Sequence, residues 1–245
     1  SHNMNRFTFG RASGTPPVVK NLIIINVVVF VITMLLGRGG LINLSGVLGM
    51  FYFQSPIFKP WQIVTHMFMH GSLFHIFFNM WALWIFGKTL ESVWGGQRFL
   101  IYFFVTGIGA AFLHQFVMYL ELAPAIEAVK AQYNFDTITY ERLRELASSN
   151  PGLYQALRTP TVGASGAVFG ILLAFGMLFP NTPLFIIPFP FPIKAKWLVI
   201  GYGALELYLG VTQPGSNIAH FAHLGGMIFG FILIKYWNKN SNRFY

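Results

Sequence analysis

Charge is scarce in this chain. Only 9% of its 245 residues are Asp, Glu, Lys or Arg, against roughly 25% in a soluble domain. With 55% hydrophobic and 18% aromatic residues, the length divides more naturally into bilayer spans of about 20 residues each than into water-facing globules. Cysteine is absent, which excludes disulfides, thiolate metal sites and a cysteine nucleophile. Asp136 is the only aspartate, so no two aspartates can share a proton as an aspartyl protease requires. Nucleic acid is also set aside as a partner: the net charge is +9, but no Lys/Arg run interleaved with aromatics occurs, and the excess is assigned to the membrane.

Ser1-His2-Asn3-Met4 reads as an expression scar, residues 1–4, ahead of a native Met4. Residues 5–237 are expected to form a single membrane domain and 238–245 a cytoplasmic tail. Continuous apolar stretches predict six spans at about 20–37, 70–90, 98–120, 162–179, 195–212 and 219–237. No small-x-small cleavage site follows the run from Leu22 to Leu36, so it is taken as a retained span. An even number of spans puts both termini on one side. Placing that side in the cytoplasm collects ten of the sixteen basic residues there, as the positive-inside bias prefers. The expected setting is a bacterial inner membrane, with the site opening outward.

Two outer connections are long. Residues 38–69 are apolar and aromatic but broken by proline and glycine, which predicts a loop partly immersed at the interface. Residues 121–160 hold five of the seven acidic residues and read as an inserted outer loop. Within it, "DTITYERLREL" predicts a short amphipathic helix capped by Asp136, and Asn150-Pro151 the start of another.

"TVGASGAVFG", residues 161–170, opens the fourth span with a lone hydroxyl, Ser165. A serine there can simply cap the helix. In the predicted topology, however, spans two, four and six run in the same direction, so His75, Asn79, Ser165 and His223 fall at similar depth. Polar groups inside a membrane are costly enough to suggest function. His75 and Asn79 are four apart and share a helical face. Gly166/Gly170 and Gly226/Gly230 form small-xxx-small pairs that let two helices approach closely. Together these make a chemical set: Ser165 as nucleophile, His223 as general base and acid, and His75, Asn79 and the Ser165 backbone N–H as an oxyanion hole. No carboxylate is obvious as a third member. Phe169, one turn past Ser165, is placed to stack on the His223 ring.

At this point the sequence resembles the rhomboid family of intramembrane serine proteases. The resemblance is carried by "HGSLFHIFFNMWALWIFGKTLE" (70–91), "GASGAVFG" (163–170), "FPNTPLFIIPFPFPIKAKWL" (179–198) and "AHFAHLGGMIFG" (219–230). It implies an all-α polytopic bundle of six transmembrane helices, with a helical insertion between the third and fourth. It also implies Ser165 and His223 as catalytic dyad, His75 and Asn79 as oxyanion-hole side chains, and Gly163 to Gly166 as the turn around the nucleophile. Glu91 matches a structural carboxylate, and His66, His70 and His220 match framework or water-holding positions. The implied partners are membrane-anchored substrates carrying a transmembrane helix, and the bilayer itself. No cofactor is implied. The 121–160 insertion departs from the family pattern.

Unwinding a substrate helix precedes attack on its backbone, so weak helix formers near the cut favour cleavage. "VTQPGSN", residues 211–217, is a candidate lid above the site. Glu206 lies inside the fifth span and is left without a catalytic role. Two further readings are weighed. One is a catalytically silent relative that binds membrane proteins, against which the retained Ser165, His223, His75 and Asn79 argue. The other is a metalloenzyme using His66/His70 or His220/His223. It lacks neighbouring carboxylates in sequence and any H-E-x-x-H, so no metal ligand is assigned.

Overall fold

In the computed structural model, which describes residues 14–186, 190–212 and 217–240, the first helix is α1 (Pro17–Arg38). Proline at its start removes an N–H that would have had no partner anyway. The next free amides, Val18 and Val19, donate to Glu91 Oε2 and Oε1 at 3.1 and 2.7 Å. Glu91 sits near the end of α4 (Leu73–Trp94), so this buried carboxylate ties the two helices by capping one of them.

The connection between them contains α2 (Leu44–Leu48) and α3 (Gln62–Thr65), followed by a 3-10 turn at His66–Phe68. Met50, Phe51 and Tyr52 are buried, whereas Leu41, Ile42, Phe53 and Trp61 face outward. A loop so exposed in apolar side chains suits partial immersion.

The longest element is α5 (Gly96–Tyr133), of 38 residues. Here the structure corrects the sequence boundary, which ended the third span at 120 and began a loop at 121. "ELAPAIEAVKAQY" is rich in Ala, Glu, Lys and Gln, good helix formers, and the helix runs through Pro124. It stops at Asn134, whose left-handed conformation (φ 54°) is a common helix terminator. Next come α6 (Tyr140–Ser149) and α7 (Pro151–Arg158). The α6 cap is Thr139, which accepts from Arg142 N–H at 3.3 Å, not Asp136. A cap must immediately precede the first helical residue, and the helix begins at Tyr140. Leu143, Leu146, Leu153 and Leu157 pack on Tyr52, Met118, Ile126 and Val129. The insertion is thus a small folded unit with its own core, seated on the extension of α5.

The remaining helices are α8 (Ser165–Leu178), α9 (Ala195–Thr212) and α10 (Asn217–Asn240). A short antiparallel pairing of Pro183–Leu184 with Ile193–Lys194 leads into α9. Among the described residues, α1, α4, α5 and α10 are long and apolar enough to cross a membrane, while α8 is a shorter apolar helix. Its 14 residues span about 21 Å, less than a hydrocarbon core of about 30 Å. The non-helical chain ahead of it must therefore be sheltered by protein. Thr161 exchanges backbone hydrogen bonds with Met50 at 2.8 and 2.9 Å, and Gly163 N–H donates to the His66 carbonyl at 2.9 Å. The fold is an all-α polytopic membrane protein, with α8 enclosed by α4, α5, α9 and α10.

Candidate active site

Ser165 is the first residue of α8. Ala164 precedes it as N-cap, and no side chain caps this helix. The hydroxyl therefore has no capping role. The first amides of a helix lack intrahelical acceptors, so the N–H groups of Ser165 and Gly166 are available to an anion, which the helix dipole also favours.

Gly163 has φ +122°, a conformation that side chains rarely adopt. A Cβ there would lie 2.7 Å from His75 Cε1 and 3.8 Å from Asn79 Nδ2. The bare glycine thus lets both α4 side chains approach the turn that leads to Ser165. Asn79 Nδ2 lies 3.1 Å from His70 Nε2. A primary amide has two N–H groups. One bonds His70 and fixes the amide, and the other is left for the site. The rings of His70 and His75 meet edge to face, with centroids 4.9 Å apart. Burial, with a smaller contribution from the His75 charge, pushes His70 down to about 4, so it stays neutral and can accept from Asn79 at physiological pH.

Beside Ser165 lies a cavity of about 30 Å³ lined among others by His66, His114, Thr161, Ser165 and Ala222. That is room for a water, and the lining supplies polar partners. Thr161 Oγ1 lies 2.9 Å from His114 Nε2, and His66 Nδ1 donates to the Gln62 carbonyl at 2.8 Å.

On the other side, α10 meets α8 backbone to backbone. A Cβ at Gly226 would overlap the carbonyl of Gly166, and a Cβ at Gly166 would come within 2.5 Å of Ala110 Cβ. This close approach brings His223 onto Phe169, their rings parallel within 9° and centroids 4.3 Å apart. Phe169 lies one turn beyond Ser165 on the same face of α8. Among the described residues no hydrogen bond joins the Ser165 hydroxyl to the His223 imidazole. The helices converge here without a hydrogen bond between these two side chains.

The family model for the Rhomboid domain matches residues 58–239, which include every residue of this site. The chain belongs to the rhomboid family. It is 28% identical to Rhomboid protein 1, mitochondrial, of Saccharomyces cerevisiae over 73% of this chain and 42% of that protein. It is 29% identical to RHOMBOID-like protein 12, mitochondrial, of Arabidopsis thaliana, over 85% and 55%. It is 25% identical to Rhomboid protease GlpG of Yersinia pestis, over 78% and 53%. The chain spans about half the length of these curated relatives. Their names divide between mitochondrial and bacterial proteins, so the bacterial setting expected from sequence is not carried by family membership.

Within this rhomboid bundle, Glu206 of α9, which the sequence left without a role, lies beside the α10 histidines. Glu206 is buried, and its Oε2 lies 2.5 Å from His220 Nδ1 and 3.2 Å from His223 Nδ1. The sequence reading found no carboxylate beside the α10 histidines, because Glu206 is remote along the chain. The three donor atoms lie within 4.8 Å of one another, a donor set chemically able to hold a divalent metal. The candidate lid falls mostly on residues 213–216, outside those described.

Proposed function

We propose that this chain is an intramembrane serine endopeptidase, hydrolysing peptide bonds in or next to transmembrane segments of membrane-anchored proteins. The observation that carries the reading is the junction of α4, α8 and α10. His75 and Asn79 flank the Gly163 turn, Ser165 heads α8 uncapped, and His223 stacks one turn below it.

In this mechanism an unwound substrate carbonyl lies over the start of α8. Ser165 Oγ attacks the carbonyl carbon while its proton passes to His223 Nε2. Negative charge develops on the carbonyl oxygen, where the free Asn79 N–H, the His75 ring N–H and the Ser165 amide donate. Collapse breaks the C–N bond, and the His223 proton goes to the leaving amine. Water from the small cavity beside Ser165 then attacks the ester, again through His223, and restores the hydroxyl. The Ser165–His223 bond forms as substrate closes the site, since catalytic hydrogen bonds are often long in the free enzyme.

The proposed setting is a bacterial inner membrane with both termini cytoplasmic, on the distribution of basic residues. The mitochondrial names among the relatives favour a mitochondrial membrane as second reading, and fractionation of the source organism distinguishes them. A non-catalytic membrane-protein binder is the second functional reading, favoured by the absent Ser165–His223 hydrogen bond.

Purified protein in lipid is expected to cleave a transmembrane substrate and to label at Ser165 with a serine-reactive phosphonate. Wild-type protein that does neither, with a substrate competent for another rhomboid protease, defeats the enzyme reading. Equal cleavage by Ser165→Ala defeats the nucleophile assignment.

A further inference from the structure

We infer that Glu206 is a positioning residue for His223, with His220 holding the carboxylate in place. This rests on Ser165 and His223 being nucleophile and base. Glu206 is 7% exposed in the middle of α9, whose other charged side chain, Lys196, lies at the helix start, and an ionisable group at such a position is costly without a purpose. Two imidazoles of α10 direct Nδ1 at the same oxygen, Oε2.

An ionised carboxylate only accepts hydrogen bonds, so each contact asks for hydrogen on Nδ1. In a neutral imidazole this leaves Nε2 with its lone pair, which is the form a general base must have. Stacking on Phe169 sets the plane of the His223 ring, but stacking alone leaves the ring free to flip and to change tautomer. Glu206 removes that freedom. His223 Nδ1 is buried and has no well-aligned hydrogen-bond partner, and the carboxylate at 3.2 Å is the acceptor within its reach. The contact tightens when Ser165 gives its proton to Nε2 and the ring becomes a cation. Glu206 remains ionised throughout and receives no proton.

His220 Nδ1 and Glu206 Oε2, 2.5 Å apart, are spaced as a hydrogen bond. His223 Nδ1, 3.2 Å from the same oxygen, is spaced much as two ligands of a tetrahedral zinc are, roughly 3.3 Å apart. A chelator therefore decides between a proton and an ion. Among the described residues, few other ionisable groups face His223. His75 interacts with it from α4 and Tyr202 packs on Phe169 from α9. The α8 helix has no ionisable side chain, and on α5 Tyr102 bonds the Gly170 carbonyl and His114 bonds Thr161.

The test is steady-state cleavage across pH by wild type, Glu206→Gln and Glu206→Asp in the same lipid, with Ser165→Ala as blank. Glu206→Gln is expected to lower kcat roughly 10- to 100-fold with KM within about twofold. It should also move the acidic limb of kcat to lower pH, because the imidazolium loses its counter-charge. Glu206→Asp keeps the charge on a shorter arm. Its limb should stay near the wild-type position while kcat falls, and it carries the test if Glu206→Gln does not fold. Wild-type kcat and an unmoved limb in Glu206→Gln overturn the inference. So does a chelator that abolishes wild-type activity, since that reveals an ion in place of the proton. Wild-type protein that neither cleaves nor labels at Ser165 instead defeats the underlying enzyme reading, and so the two failures are distinguishable.

Discussion

The imidazole of His75 rests against the bare backbone of Gly163, with Cε1 only 2.7 Å from where a Cβ would stand. The glycine is needed twice, for its φ of +122° and for the space the ring occupies. Gly163→Ala is therefore expected to strain the turn by about 1–3 kcal/mol and to push His75 out of the site. Cleavage should fall at least about 100-fold while the helical circular-dichroism signal is retained. A Gly163→Ala protein with wild-type kcat/KM would show that His75 has no fixed role.

Asn79 can be separated from framework residues by what its replacements do to kcat and KM. Losing one oxyanion donor costs about 2.7–4 kcal/mol of barrier, roughly 100- to 1000-fold in kcat. Asn79→Ala should show that loss with KM little changed, because the bond forms with the charge that develops in the transition state. Asn79→Asp should be slower still, since a second negative acceptor then faces the oxyanion. Both remove the donor to His70 Nε2, so a modest loss of thermal stability is expected in each. An Asn79→Asp rate above that of Asn79→Ala would contradict the oxyanion role.

Gly226 and Gly201 form a contrasting pair of helix glycines. A Cβ at Gly226 would overlap the Gly166 carbonyl, whereas at Gly201 it would meet nothing within 4 Å. Gly226→Ala is expected to force α8 and α10 apart, lowering thermal stability by at least about 1–3 kcal/mol and uncoupling His223 from Ser165. Gly201→Ala should leave cleavage unchanged and stabilise the helix by roughly 0.5–1 kcal/mol. Thermal melts of both variants in one detergent provide the comparison.

The all-α membrane fold is legible in the sequence, because membrane helices declare themselves by composition and a polar residue within them stands out. Ser165, His223, His75 and Asn79 are singled out as candidates by span order, depth, helical spacing and motif, and the structure sets His75 and Asn79 against the turn before Ser165 and His223 on Phe169. The α5 boundary could not be read in that way, since Pro124 and the acidic residues after it look like a loop until packing on Tyr52 and the α6–α7 pair sustains the helix. Choosing Thr139 over Asp136 as cap needed the helix start to within one residue. Glu206 was conspicuous as a charge in an apolar span. Its orientation toward His220 and His223 depends on how α9 rotates against α10, which no local pattern encodes. The pairing of His70 with Asn79 was hidden in the same way.

Acid sensitivity should report the histidines of the 3-10 turn and the segment leading into α4. Burial pushes His66 down to about 4, and His70 is depressed to a similar value. Both lie below the 6.5 of an exposed imidazole, so the unfolded chain binds protons that the folded one refuses. Stability is then full above about pH 6.5 and falls as pH drops from there toward 4, by up to about 1.4 kcal/mol per pH unit for each histidine. His66→Asn keeps an N–H donor for the Gln62 carbonyl but cannot titrate. Its melting temperature is expected to decline less steeply than wild type between pH 6.5 and 4.5, and to differ little in slope above pH 7. Parallel slopes across the whole acid range would mean that His66 protonates as readily folded as unfolded, which is incompatible with its burial against Gln62.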